Sequence, residues 1–147
     1  MSETVLVPHD DSEHADAALR FALEMFPNAE IVVFHVVEPF AEHTDAGVED
    51  GRRWQRRARR YAKEVFDGVH DIATAVDASV ETEWRYGRPK YVIVRYLEEE
   101  DIDQVVMGSR GRSGLDRLLL GSVAETVVRR ASVPVTIVRE TERDEST

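Results

Sequence analysis

Gln104-Val105-Val106-Met107 is followed by Gly108-Ser109-Arg110-Gly111-Arg112-Ser113-Gly114 and, a few residues on, by Gly121-Ser122. An apolar run of strand length thus ends on a glycine-rich loop. The loop ends where a helical pattern begins, with Val123, Ala124, Val127, Val128 and Ala131 spaced for one face. Val135–Val138 then reads as a further strand. Upstream, Gly87-Arg88-Pro89 is a turn that starts a helix, because proline suits the first helical position. That helix is expected over about 89–100 with Ile93, Tyr96 and Leu97 inward, after a strand at 79–85. Before it, Trp54, Ala58, Tyr61, Ala62, Val65, Val69, Ile72, Ala73 and Val76 keep a helical stripe, interrupted only by Gly68. Glu30–Val37 and Thr4–Pro8 are apolar and rich in β-branched residues, as strands are. Between them Ala15, Ala18, Leu19, Ala22, Leu23 and Phe26 form one helical face, with Ser12 placed to cap it. The segment 38–46, with Pro39, reads as a loop.

Strands and helices therefore alternate along the whole chain. This pattern predicts an open, doubly wound α/β domain, a parallel sheet with helices on both faces. The 147 residues suffice for one such domain, expected over 1–140. The charged end, 141–147, lacks apolar residues and is expected to be disordered.

Composition narrows the function classes. There is no cysteine, which excludes disulfides, thiolate metal sites and cysteine nucleophiles. Acidic residues number 29 against 19 lysines and arginines, and only Lys63 and Lys90 are lysines. The net charge of −10 opposes non-specific nucleic-acid binding. An acidic, lysine-poor surface resembles proteins of a salt-rich cytoplasm, where ionic strength screens self-repulsion. No apolar run reaches the length of a membrane span, and no secretory n-region opens the chain. A cytoplasmic location is expected.

The glycine loop has the context of a phosphate site, after a strand and before a helix. Successive backbone N–H groups in such a loop form an anion-binding nest. Gly121-Ser122 sits where free N–H groups and the helix dipole attract phosphate. The Ser122 hydroxyl can cap its helix or donate to a phosphate oxygen. Arg110 and Arg112 can add charge-assisted bonds. By itself the loop equally fits a turn without ligand, and it is no Gly-Lys-Ser/Thr P-loop. Asp10 adds weight. It lies past the first strand, in Val7-Pro8-His9-Asp10-Asp11-Ser12, and ligands of open α/β sheets bind beyond strand carboxyl ends where strand order reverses. If the first strand neighbours the fourth, Asp10 and Gly108 face each other across that crevice. A helix-start acid beside Ser12 is the other reading of Asp10.

With these residues the chain resembles the ATP-binding members of the universal stress protein family. Gly108, two residues, Gly111, nine residues and Gly121-Ser122 reproduce that family's spacing. Val5-Leu6-Val7-Pro8-His9-Asp10, His35-Val36-Val37, Gly87-Arg88-Pro89 and Val133-Pro134-Val135 match its other landmarks. The resemblance spans residues 3–139. It implies a flavodoxin-like, adenine nucleotide alpha hydrolase-like sheet of order 3-2-1-4-5, and a homodimer through the fifth strand. It places adenine near Pro8, His9, Asp10 and Val36, and ribose and phosphates along Met107, Gly108, Arg110, Gly111, Gly121, Ser122 and Val123. The implied ligand is ATP, AMP or ADP, with Mg2+ held by the phosphates rather than by a protein cage. Arg110 stands where many relatives have histidine, and Asp11 where glycine is common.

Two function classes follow. One is a nucleotide-binding stress or signalling protein without dedicated catalysis, in which occupancy biases dimer or partner binding. The other is a weak ATPase or nucleotidyl-transfer enzyme using the same loop with Asp10. The five histidines are not spaced as a metal cluster, and His35 reads as a satisfied strand-end residue. Arg52, Arg53, Arg56, Arg57, Arg59 and Arg60 lie mostly opposite the apolar stripe of the long helix, with Arg57 at its flank. They read as a solvated face, with Arg60 and Glu64 able to pair. An RNA, phosphate or partner patch is the alternative reading.

Overall fold

A computed structural model of the chain describes residues 3–38, 51–110 and 120–139. The elements run β1 (Thr4–Pro8), α1 (Glu13–Met25), β2 (Glu30–Val37), α2 (Gly51–Ala75), β3 (Glu81–Tyr86), α3 (Pro89–Glu99), β4 (Gln104–Gly108), α4 (Ser122–Arg130) and β5 (Val135–Val138). All strand pairs are parallel, and the order is β3-β2-β1-β4-β5, as the resemblance implies. Gly111, Arg112, Gly114, the 38–46 loop beyond residue 38 and the 141–147 tail lie outside the described residues.

Parallel strands need both faces covered, and two apolar layers do so here. Val5, Val7, Val33 and Val106 face one side, against Ala18, Leu19 and Ala22 of α1 and Ala58, Ala62, Val65 and Val69 of α2. Leu6, Phe34, Val36, Val105 and Met107 face the other, against Ile93 and Tyr96 of α3 and Ala124 and Val127 of α4. The period-2 alternation of the strands thus sorts successive residues to opposite helix layers. β1 and β2 are buried almost throughout, which is why they read as continuous apolar runs.

The helices differ from expectation at their margins. Tyr61, Val76 and Val128 were expected inward and are instead exposed. Tyr61 and Val128 fall on the edge of their helical faces, and Val76 lies beyond the end of α2. Phe66, outside the expected stripe, is buried in their stead. β3 begins at Glu81 rather than at residue 79. Pro89 does occupy the first turn of α3. Gly87 before it has φ +146°, and a Cβ there would stand 2.8 Å from Val92 Cγ2. No described helix is long and apolar enough to cross a membrane.

Candidate nucleotide site at the reversal of strand order

The sheet reverses its order between β1 and β4, whose following helices α1 and α4 cover opposite faces. The crevice beyond these two carboxyl ends is where ligands of such sheets sit. Its β1 wall is the turn 9–12. His9 N–H donates to the Phe34 carbonyl at 2.8 Å. Its ring, 4% exposed with the residue as a whole, makes two bonds: Nδ1 accepts from Asp11 N–H at 3.0 Å, and Nε2 lies 2.8 Å from Asp16 Oδ1. With Nδ1 accepting, Nε2 carries the proton and donates to Asp16. The His9 carbonyl in turn accepts from His35 Nδ1 at 2.8 Å.

Both ring nitrogens of His9 are therefore engaged inside the protein. Of the residues expected around adenine, His9 uses both its backbone and its side chain to hold the turn. Asp16 and His35 are its partners, and spacing along the chain gave no signal of the Asp16 contact. His35 is buried beside Phe66 and satisfied at its strand end, as expected. Burial pushes its pKa below the ordinary 6.5, against the smaller opposing pull of the His9 carbonyl bond.

Asp10 Oδ1 accepts from Ser12 N–H at 3.2 Å, forming an Asx turn. Asp11 has φ +69°. This left-handed conformation is the one glycine adopts without strain and aspartate tolerates better than most, which explains why a carboxylate stands at a position suited to glycine. Ser12 caps α1, its Oγ accepting from Ala15 N–H at 3.1 Å.

The β4 wall is built by the glycines. Gly108 ends β4 opposite Val138. A Cβ on Gly108 would lie 2.8 Å from the His14 carbonyl oxygen and 2.9 Å from His14 C and Cβ. The first reason for glycine here is thus the close approach of α1, before any ligand. The buried Ser109 follows, its N–H donating to the Val138 carbonyl at 3.1 Å. Gly121 N–H then donates to the Ser109 carbonyl at 2.8 Å. This bond ties the two ends of the glycine motif together and sets the start of α4 against the end of β4.

Ser122 does not cap α4. Gly121 is the N-cap, with no side-chain bond, and its carbonyl accepts from Glu125 N–H at 2.9 Å. The helix begins one residue earlier than a Ser122 cap requires, which makes Ser122 its first residue. The Ser122 side is exposed, so of its two expected roles the structure leaves donation outward. The first-turn N–H groups of α4 have no partner within the helix. Val36 and Met107 lie in the apolar layer of α3 and α4, and Val123 packs against that layer. Pro8 belongs to the same face of β1 as Leu6 by alternation. Among the described residues no group of three or more histidines and carboxylates could hold a metal ion.

A parallel sheet of this order, with an acidic turn beyond β1 and a glycine-framed loop between β4 and α4, defines a doubly wound protein of the adenine nucleotide alpha hydrolase-like type. The chain belongs to the universal stress protein family, whose model matches residues 1–139. It is 29% identical over 147 residues to the universal stress protein MJ0531 of Methanocaldococcus jannaschii, covering 95% of this chain and 84% of the relative. Universal stress protein UspA of Lactobacillus plantarum superposes with a TM-score of 0.76 at 29% identity, covering 93% of this chain and 97% of that one. A family protein of Arabidopsis thaliana, solved with AMP bound, shares the fold with a TM-score of 0.67 at 20% identity, covering 97% and 94%.

Proposed function

We propose that this protein binds an adenine nucleotide, ATP foremost, in the crevice between the 9–12 turn and the start of α4. The observation that carries this reading is the Gly121 to Ser109 bond at 2.8 Å, which sets an uncapped helix N-terminus at the point where strand order reverses. First-turn N–H groups, which have no partner within the helix, and the helix dipole favour phosphate there. The exposed Ser122 hydroxyl adds a donor. Pro8, His9, Asp10 and Val36 line the base side of the proposed site. Met107, Gly108, Arg110, Gly111, Gly121, Ser122 and Val123 line the ribose and phosphates. Mg2+ enters with the phosphates, which hold it. The AMP bound to the Arabidopsis relative is in keeping with the choice of base.

Occupancy serves signalling in this reading, by biasing a homodimer through β5. That strand is the sheet's edge, all four of its residues are half-buried, and an edge strand offers unpaired backbone groups. Nucleotide can shift such an equilibrium only through different affinity for its two states.

The test is mass spectrometry of whatever copurifies, followed by thermal unfolding with added Mg-ATP. A ligand at 100 times its Kd stabilises by about 2.7 kcal/mol, or roughly 5–10 °C for a chain of this size. An adenine nucleotide in the purified protein, and a shift of that order reduced in Ser122→Ala, are expected. Protein free of nucleotide and indifferent to ATP, ADP and AMP overturns the proposal.

A further inference from the structure

The exposed face of α2 carries charge in an unfavourable order. Its first half holds Arg53, Arg56, Arg59 and Arg60, with the half-buried Arg57 at its flank, and its second half Glu64, Asp67 and Asp71. No acid stands in the first turn and no base in the last. Cations thus crowd the positive end of the helix dipole and anions lie toward the negative end. Arg53 with Arg56 and Arg57, and Arg56 with Arg59 and Arg60, are like charges at spacings that repel. The i,i+4 pair of Lys63 with Asp67 offsets part of this repulsion.

The pattern has an internal symmetry. At roughly 100° per residue, Arg53, Arg60, Glu64 and Asp71 fall within about 20° of one line along the helix. They are placed symmetrically about residue 62, with charges of opposite sign on the two sides. Arg56 and Asp67 repeat the relation along one flank of that line. Lys63 lies on the same flank and pairs with Asp67 at 3.2 Å. On the other flank Arg57 stands in the corresponding place to Gly68, which carries no charge. Gly68 is exposed in mid-helix, with nothing within 4 Å of where its Cβ would be. Glycine there weakens the helix and leaves room for an approaching side chain.

A surface antisymmetric in charge about its own centre is complementary to itself when turned by a two-fold axis. We propose that the outer face of α2 docks on α2 of a second copy of this chain, the two helices antiparallel and crossing at residue 62. Arg53 then meets Asp71 of the other copy, Arg60 meets Glu64, Arg56 meets Asp67, and Arg57 lies over Gly68. Each contact occurs twice, as an isologous interface requires. The exposed Tyr61 lies beside the crossing point. A long polyanion fits worse, because on this same face it would run onto Glu64, Asp67 and Asp71, which a second copy meets with arginines. The contact is polar and exposed, so the association is weak and depends on salt.

The test uses the full chain and its weight-average mass by sedimentation, as a function of concentration. In about 0.02 M salt the wild type should gain mass with concentration, and in about 1 M salt, where the Debye length is about 3 Å, the gain should vanish. Association elsewhere on the chain, resisted by the net charge of −10, should strengthen rather than weaken as salt rises, so the two are told apart by sign. The variants R53E/R56E/R60E and E64R/D67R/D71R, both altered only on the exposed face, should each self-associate at least about tenfold more weakly. An equimolar mixture of the two should recover the association, since each restores the charges the other lacks. Circular dichroism checks that both are folded. Undiminished association in the single variants, or a mixture no heavier than its components, overturns the proposal. So does loss of binding to single-stranded RNA on arginine reversal with self-association unchanged, which assigns the face to a polyanion.

Discussion

At the scale of residues, Gly108 and His35 show how packing constrains the candidate site before any ligand arrives. Gly108→Ala puts a methyl group 2.8 Å from the His14 carbonyl oxygen and against α1 backbone, which has no flexible end to move aside. Overpacking of this kind costs about 1–3 kcal/mol. The nucleotide-free variant should melt several degrees lower than the wild type. An unchanged melting temperature with weakened nucleotide binding would mean that only the ligand demands glycine there. His35 is held neutral by burial, with His9, Asp10, Asp11 and Phe66 around it. In the unfolded chain it titrates near 6.5, and in the fold lower, so between these values the unfolded state binds more protons. Its stabilising contribution is complete above pH 6.5 and is lost as pH falls toward the folded value. Thermal unfolding followed from pH 7.5 to 5.5 should show a steeper loss in the wild type than in His35→Gln. Equal slopes would show that His35 does not titrate between the two states.

At the scale of elements, the two helices bordering the crevice begin in opposite ways. α1 is capped by Ser12 through a 3.1 Å bond to Ala15 N–H, and carries Glu13 and Asp16 in its first turn. The Ala15 and Asp16 N–H groups are satisfied by Ser12, and the Asp16 side chain also fixes His9. α4 is capped by Gly121, which has no side chain to offer. Ser12→Ala should therefore cost about 1 kcal/mol of stability, while Ser122→Ala should cost the nucleotide-free protein almost nothing. Urea unfolding of both variants measures this difference. Equal losses would mean that Ser122 caps α4 after all. Of this contrast only the Ser12 cap was legible in the sequence. Ser-x-x at the start of an apolar stripe is a local signal. The start of α4 at Ser122 was legible too, but which residue caps it was not, because glycine and serine are both acceptable caps. What decided between them is the bond from Gly121 to Ser109, which joins residues on two different elements.

At the scale of the whole molecule, the order of the elements was readable because alternation of strand and helix leaves few ways to cover a parallel sheet. The strand order came from the resemblance, and the pairing of β1 with both β2 and β4 bears it out. Membership of the universal stress protein family rests on nearly the whole chain, not on the loop alone. The sequence by itself determined the elements, the two apolar faces of the sheet and the place of the glycine loop between strand and helix. Those depend on local periodicity and turn chemistry, which act over a few residues. Only the tertiary structure decided that His9 turns its ring inward to Asp16, that Gly108 is required by α1, that Ser122 follows the cap rather than forming it, and that Tyr61 and Val128 stay outside. The first three are settled by contact between residues of different elements, where the steric and hydrogen-bond demands of a neighbour outweigh local preference.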